Sequence, residues 1–189
     1  MDTIHDIFTR FDPKGKKLLS IVLPVYNEEA CLPIMLDSLT KYLSESQKNY
    51  NWEIIFIDDF SKDSSFSILT EYSKKNFENV RIAALQLSKN SGSHIAITAG
   101  LNISRADFTI IMASDGQDPP EVIDTLLKHW ETGEKIILAA RAENLDHSFV
   151  GNLFSKTAWK IMNWATGIEM PAGGCDMLGV DKLPLEAFN

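Results

Sequence analysis

The chain switches between two kinds of apolar pattern along most of its length, and that alternation constrains the fold more than any single motif. L-L-S-I-V-L-P at 18–24 is a short β-branched run closed by Pro24, the mark of a buried strand. From Glu28 the period changes: Leu32, Met35, Leu36, Leu39 and Leu43 fall at three- and four-residue steps, the stripe of an amphipathic helix. W-E-I-I-F-I-D predicts a second strand, a helix with Phe66, Leu69 and Tyr72 on one face follows, and V-R-I-A-A-L-Q-L predicts a third strand. A helix near 92–104, the strand D-F-T-I-I-M-A, a helix carrying Ile123, Leu127 and Trp130, and the strand K-I-I-L-A-A continue the series. Strands separated by helical crossovers run mostly parallel. The expected fold is therefore α/β, Rossmann-like, a three-layer α/β/α arrangement around a doubly wound sheet. Ligands on such sheets sit beyond the carboxyl ends of the strands.

With 189 residues, 44% of them hydrophobic, the chain can bury the core of one domain. Residues 1–17, with the basic cluster K-G-K-K at 14–17, read as a solvated lead-in, and 18–189 as the domain itself. The net charge of -8 offers no footprint for a phosphate backbone, so nucleic acid is not expected as a partner. Cys31 and Cys175 lack metal-cage spacing and are expected to be reduced, buried small hydrophobes. The N-terminus has no signal-peptide pattern, and no stretch approaches the ~20 apolar residues of a membrane span. A soluble, cytoplasmic chain is the expectation.

The strand ends carry the chemistry. They read P-V-Y-N-E-E, I-D-D-F-S-K-D, S-K-N-S-G-S-H and A-S-D-G-Q-D-P-P, and the fold brings all four to one rim. Capping accounts for part of this: Asn27, Asp63 and Asp118 are each suited to a helix N-terminus, Asp118 before Pro119-Pro120-Glu121. It leaves an excess, because Asp58 with Asp59, and Asp115 with Asp118, supply second carboxylates that repel the first. A hard divalent cation, Mg²⁺ or Mn²⁺, takes oxygen ligands from a carboxylate and an amide such as Asp115 and Gln117 and completes its shell with water and phosphate oxygens. Gly116 between them suits a sharp turn or a close ligand approach.

Taken together, S-I-V-L-P-V-Y-N-E-E, I-I-F-I-D-D-F-S-K-D-S-S, S-K-N-S-G-S-H-I-A-I-T-A-G-L and A-S-D-G-Q-D-P-P-E resemble family 2 glycosyltransferases of GT-A fold. Within that family the likeness is to the dolichyl-phosphate mannosyltransferase and polyprenyl-phosphate glycosyltransferase group. It covers about residues 18–182. The resemblance implies that Pro24, Tyr26, Asn27 and Glu28 cup the base and ribose of a nucleotide, that Asp59 with Asp58 reads the base, and that Lys89 and Gly92 close over it. It also implies that Asp115 is the second carboxylate of a D-x-D motif and that Gln117 joins it at the metal. Three positions depart from the pattern: Ala113 stands where the first carboxylate is expected, Gly116 replaces a leucine, and Phe60 replaces a glycine.

The activity implied is inverting transfer of a sugar from a UDP- or GDP-linked donor to an acceptor, the cation neutralising charge on the leaving diphosphate. An alcohol acceptor, as in a glycan, needs a general base, and neither His94 nor His147 is a convincing one. A lipid phosphate is already anionic and needs mainly positioning. Arg141, at the end of the fifth strand, suits an acceptor phosphate, with a surface ion pair to Glu143 or Asp146 as the plainer alternative. The apolar set Phe149, Leu153, Phe154, Trp159, Met162 and Trp164 fits helix-on-sheet packing most readily; the alternatives are a peripheral helix at the cytoplasmic membrane face and a contact with a second copy. Gly173 and Gly174 belong to a segment that resembles the acceptor side of the family. The chain stops at Asn189, earlier than members of this kind, so a C-terminal truncation is expected. Two other functions compete: a nucleotide-sugar-binding module without turnover, and a phosphoryl-accepting receiver domain.

Overall fold

The computed structural model describes residues 15–45, 47, 49–139 and 177–188. In chain order the elements are β1 (Leu18–Val25), α1 (Leu32–Glu45), β2 (Asn51–Asp58), α2 (Ser65–Ser73), β3 (Val80–Gln86), α3 (Ser93–Ile103), β4 (Phe108–Met112), α4 (Val122–Glu131), β5 (Ile136–Ala139), β6 (Met177–Asp181) and α5 (Lys182–Phe188). The sheet order is β3-β2-β1-β4-β6-β5. β1 pairs in parallel with β2 and with β4, and β2 with β3. β6 is antiparallel to both β4 and β5, which leaves the five strands foreseen from sequence all pointing one way.

Apolar burial sorts the helices into layers. The predicted stripe Leu32, Met35, Leu36, Leu39 and Leu43 is buried in full, and with Leu69, Ile123, Leu127 and Trp130 it packs on Leu19, Ile21, Leu23, Trp52, Ile54 and Phe56. Each such side chain contributes about 2 kcal/mol by leaving water. α3 covers the other face, where Ala96 meets Val22, Ile55 and Ile57. It lies close to the sheet: a Cβ on Gly100 would stand 2.4 Å from a Val22 methyl.

β6 was not legible as a strand. Its central Gly179 faces the Phe108 ring so closely that a Cβ would come within 2.3 Å of it. Phe108 stacks on Trp130 at 4.9 Å between ring centroids, and Trp130 Nε1 donates to Asp181 at 2.7 Å. Burial works to raise the Asp181 carboxyl, but donors from Trp130, Leu183 and Lys135 outweigh it and hold the group below its ordinary range. Two sequence boundaries also shift. β1 runs through Pro24 to Val25, because the Pro24 carbonyl and not its missing N–H is in use, accepting from the Ser114 hydroxyl at 2.8 Å. The regular helix α4 begins at Val122, after a hydrogen-bonded turn over 119–122, one turn later than a cap at Asp118 implies.

Strands β1, β2 and β3 build outward in one direction, and β4 then returns to the other side of β1. The topological switch therefore lies between β1 and β4, where a doubly wound sheet opens a crevice. At the opposite ends of the strands Glu53 is buried, accepts from the Ser20 hydroxyl, and is linked through it to Ser104 at 2.9 Å and on to Thr109. Burial pushes the Glu53 carboxyl above its ordinary value of 4.5, against the opposing pull of those hydrogen bonds.

Candidate active site

A cleft of about 430 Å³ opens at the switch point. Pro24, Tyr26 and Glu28 line it from the end of β1, Asp59 from β2, Gly92 from the start of α3, and Asp115 from β4. Six of the residues singled out from sequence thus converge. Tyr26 is 44% exposed, an aromatic face turned toward solvent at the cleft.

The loops that carry these side chains are fastened to each other by hydrogen bonds. The Asn27 amide oxygen accepts from Lys62 N at 2.8 Å, while Asn27 N and Glu28 N donate to the hydroxyls of Ser61 and Ser65 at 2.9 and 2.8 Å. Asp63 accepts from Glu29 N at 3.1 Å and from Ser65 N at 3.0 Å. Burial pushes the Asp63 carboxyl up, but these donors outweigh it and leave it below 3.8. Asn27, with φ 56, and Phe60, with φ 63, both adopt the left-handed backbone. That conformation explains why a glycine suits position 60; here the Phe60 ring instead carries the Lys62 ammonium 3.6 Å above it.

The paired carboxylates part company. Asp58 is fully buried and outside the cleft lining; one oxygen accepts from Ser61 N at 3.1 Å and Gln86 Nε2 at 2.8 Å. Asp59 lines the cleft and accepts from Ser91 N at 2.7 Å and Gly92 N at 2.8 Å. Asn27 braces its loop and Lys89 is exposed, neither of them lining the cleft, whereas their neighbours Asn90 and Ser93, which the sequence reading passed over, do. Ser114 was missed as well. Its signal was position: it lies two residues past β4 beside Asp115, its hydroxyl donating to Pro24 O.

Asp115 lies at the junction of this cleft with a second one of about 570 Å³, floored by Met35, Leu39 and Met112 and edged by Gln117 and Glu121. One Asp115 oxygen accepts from Gln117 N at 3.0 Å, a tight turn that Gly116 permits with φ 71. Cys31 is half-buried at the second cleft and not fully enclosed as expected. Arg141, His147, the apolar residues from Phe149 to Trp164, Gly173, Gly174 and Cys175 lie outside the described residues.

Among the described residues no three His, Cys, Asp or Glu side chains converge as a metal cage. The oxygen donors beyond the end of β4 are Asp115 at the junction of the two clefts, with the Gln117 amide and the Asp118 and Glu121 carboxylates along the second one, and Ala113 supplies none. That set fits a hard cation drawing most of its shell from water and phosphate oxygens, and does not fit a closed structural site.

A sheet wound 3-2-1-4 with an antiparallel strand beyond, and an acidic cleft at the switch point, fits the GT-A glycosyltransferase fold expected from the sequence. The solved mannosyltransferase PcManGT from Pyrobaculum calidifontis, in complex with GDP-Man and Mn²⁺, superposes with a TM-score of 0.64 over 94% of this chain and 48% of that one at 15% identity. Glucosyl-3-phosphoglycerate synthase from Mycobacterium tuberculosis gives 0.57 over 95% of this chain and 61% of that one at 18% identity. Both likenesses speak to the fold. The chain itself belongs to glycosyl transferase family 2, whose family model matches residues 20–173. Among curated relatives, the undecaprenyl-phosphate 4-deoxy-4-formamido-L-arabinose transferase of Photorhabdus laumondii is 39% identical over 176 residues, 91% of this chain and 51% of the relative. The uncharacterized glycosyltransferase YkcC of Bacillus subtilis is 31% identical over 163 residues, 86% and 49% respectively. The chain spans about half the length of these relatives. Family membership sets the receiver-domain alternative aside.

Proposed function

We propose that this chain is the donor-binding and transferring part of a glycosyltransferase that moves a sugar, with inversion, from a nucleoside-diphosphate-sugar to a polyprenyl phosphate. The observation that carries the reading is the meeting of Pro24, Tyr26, Glu28, Asp59, Gly92 and Asp115 in one cleft at the switch point. An exposed tyrosine offers a stacking face for a base, and the β4 end offers a carboxylate where a diphosphate leaves. A bound Mg²⁺ or Mn²⁺ supplies Lewis-acid stabilisation of the departing diphosphate. Asp115 would hold it, with Gln117 as the second protein ligand. The relatives named for undecaprenyl phosphate support a lipid phosphate as acceptor, which needs no general base, and are consistent with action at a membrane face. Among the described residues no helix is long and apolar enough to cross a membrane.

Thermal unfolding with UDP, GDP and their glucose and mannose conjugates, each with Mn²⁺, Mg²⁺ or chelator, tests this. A ligand at about 100 times its dissociation constant adds about 2.7 kcal/mol. Stabilisation by one nucleotide that requires metal supports the reading; no shift with any nucleotide in folded protein sinks it. Ala113 favours one competing reading, a binding module without turnover, because the cleft has an alanine where a further carboxylate would strengthen the metal site. Metal-dependent hydrolysis of a bound donor separates the two: a turnover-competent site releases sugar, and a binding module does not.

A further inference from the structure

We propose that Ser114 is a positioning residue for Asp115, its hydroxyl stitching the chain beyond β4 to β1 across the switch point and so setting where the Asp115 carboxylate stands. The proposal rests on the reading of the cleft as a nucleotide site. Backbone pairing between β1 and β4 runs from Leu19↔Phe108 to Val22↔Ile111 and goes no further. On their other sides both strands continue: β1 keeps its register with β2 to Val25↔Asp58, and β4 keeps its register with β6 to Met112↔Met177. The two central strands therefore part before either one ends, and the crevice opens between them. Ser114 spans that opening. Its hydroxyl donates to the Pro24 carbonyl at 2.8 Å, and the residue is 5% exposed. Proline has no N–H, so the carbonyl is the one main-chain hydrogen-bonding group that Pro24 offers a neighbour. A side-chain hydroxyl thus continues a contact that the two backbones have given up.

Pro24, Tyr26, Ala113, Ser114 and Asp115 all line the cleft, so the stitch lies within the wall of the site itself. Ala113 brings no oxygen to a cation, and the placement of Asp115 then counts for more than it does where a second acid stands beside it. The bond that Asp115 accepts, from Gln117 N at 3.0 Å, lies within the loop beyond β4 and shapes that loop without tying it to the sheet. The Ser114 bond is of another kind. It reaches a different strand, 90 residues away in sequence, and fixes the backbone next to Asp115 against Pro24 on the facing side. Ligands held to within a fraction of an ångström are what a site with few protein donors needs, and a bond from a buried neighbour is one way to hold them. Alanine at position 114 removes the donor with little change of volume, so its effect falls on the stitch rather than on packing.

The experiment uses the whole chain with whichever of UDP or GDP stabilises the wild type. Two quantities are read: the Mn²⁺ concentration at half-saturation, from the electron paramagnetic resonance signal of free Mn²⁺, and the urea midpoint without ligand. In Ser114→Ala the half-saturating Mn²⁺ concentration is expected to rise about fivefold, the equivalent of one ordinary hydrogen bond. Ser114→Thr keeps the hydroxyl and is expected to stay within about twofold of the wild type. A Ser114→Ala protein whose urea midpoint falls while its Mn²⁺ half-saturation stays put makes the bond a matter of stability alone and overturns the proposal. A Ser114→Thr protein as weak for Mn²⁺ as Ser114→Ala overturns it too, because the effect then belongs to volume and not to the hydroxyl. Wild-type protein that gains nothing from either nucleotide sinks the functional reading, and the positioning role with it; unmoved half-saturation in a protein that does bind sinks the positioning role alone.

Discussion

The end of β2 and the end of β4 look alike in sequence, each crowding acidic side chains behind an apolar strand, yet they solve the problem of like charge differently. At β2, both oxygens of Asp59 and Asp63 and one oxygen of the buried Asp58 are answered by hydrogen-bond donors of the protein itself, among them Ser61 N, Gln86, Ser91 N, Gly92 N and Ser65 N. At β4, Asp115 takes one backbone donor and otherwise faces the cleft. Surplus carboxylate therefore marks a ligand site only where the backbone has not already neutralised it. The β2 end is braced by the protein's own donors, with Asp59 still on the cleft; the β4 end holds Asp115 with a single backbone donor.

The contrast is tested first by deletion. Asp58→Ala removes the acceptor from Ser61 N and Gln86 Nε2 in a fully buried place, and is expected to cost about 3 kcal/mol in urea unfolding. Asp115→Ala is expected to leave that midpoint within about 0.5 kcal/mol and to abolish the metal-dependent nucleotide stabilisation of about 2.7 kcal/mol at 100 times the dissociation constant. Equal stability losses in the two variants would erase the distinction between the two ends.

A second test uses pH and sets the rim against the opposite end of the sheet. Glu53 is raised by burial, so the folded state holds its proton more tightly than the unfolded chain does. Its contribution to stability is present below its ordinary value of 4.5 and is lost as pH rises from there through the folded value. Asp63 is lowered, so its contribution is present above 3.8 and is lost as pH falls through its folded value. Urea midpoints across this range should flatten on the alkaline side in Glu53→Gln and on the acid side in Asp63→Asn. A Glu53→Gln profile that keeps the wild-type decline assigns that slope to another group.

The smallest effect concerns Phe60. Glycine at this left-handed position relieves backbone strain of about 1–2 kcal/mol, but it loses the Lys62 contact and gains freedom in the unfolded chain. Phe60→Gly should therefore stay within about 1 kcal/mol of the parent in urea unfolding. A larger gain would mean that the β2 rim stores strain that its hydrogen bonds do not offset.

Much of this was written in local pattern. The α1 stripe from Leu32 to Leu43 came out buried residue for residue, and α3 fell within one residue of its expected ends, because helix periodicity reflects which side of a cylinder leaves water. The five parallel strands followed from their spacing, since a helix between two strands forces a crossover. The convergence of Tyr26, Asp59, Gly92 and Asp115 on one rim followed in turn, because parallel strands end on the same side.

Two things waited for the tertiary structure. Which of the adjacent carboxylates Asp58 and Asp59 turns inward depends on donors some 30 residues away, the Gln86 side-chain amide in β3 and backbone N–H groups of the loop beyond it, and side-chain alternation alone does not supply those partners. The strand β6 has a glycine at its centre that interrupts its apolar run, and its place follows from pairing with β4 across a long stretch of chain. Gly179 reads as a break in sequence and as a requirement in the fold, since only there does the Phe108 ring lie against it. Periodicity is a local consequence of burial and can be read along the chain; partners far apart in sequence are chosen by packing, and only the folded molecule brings them together.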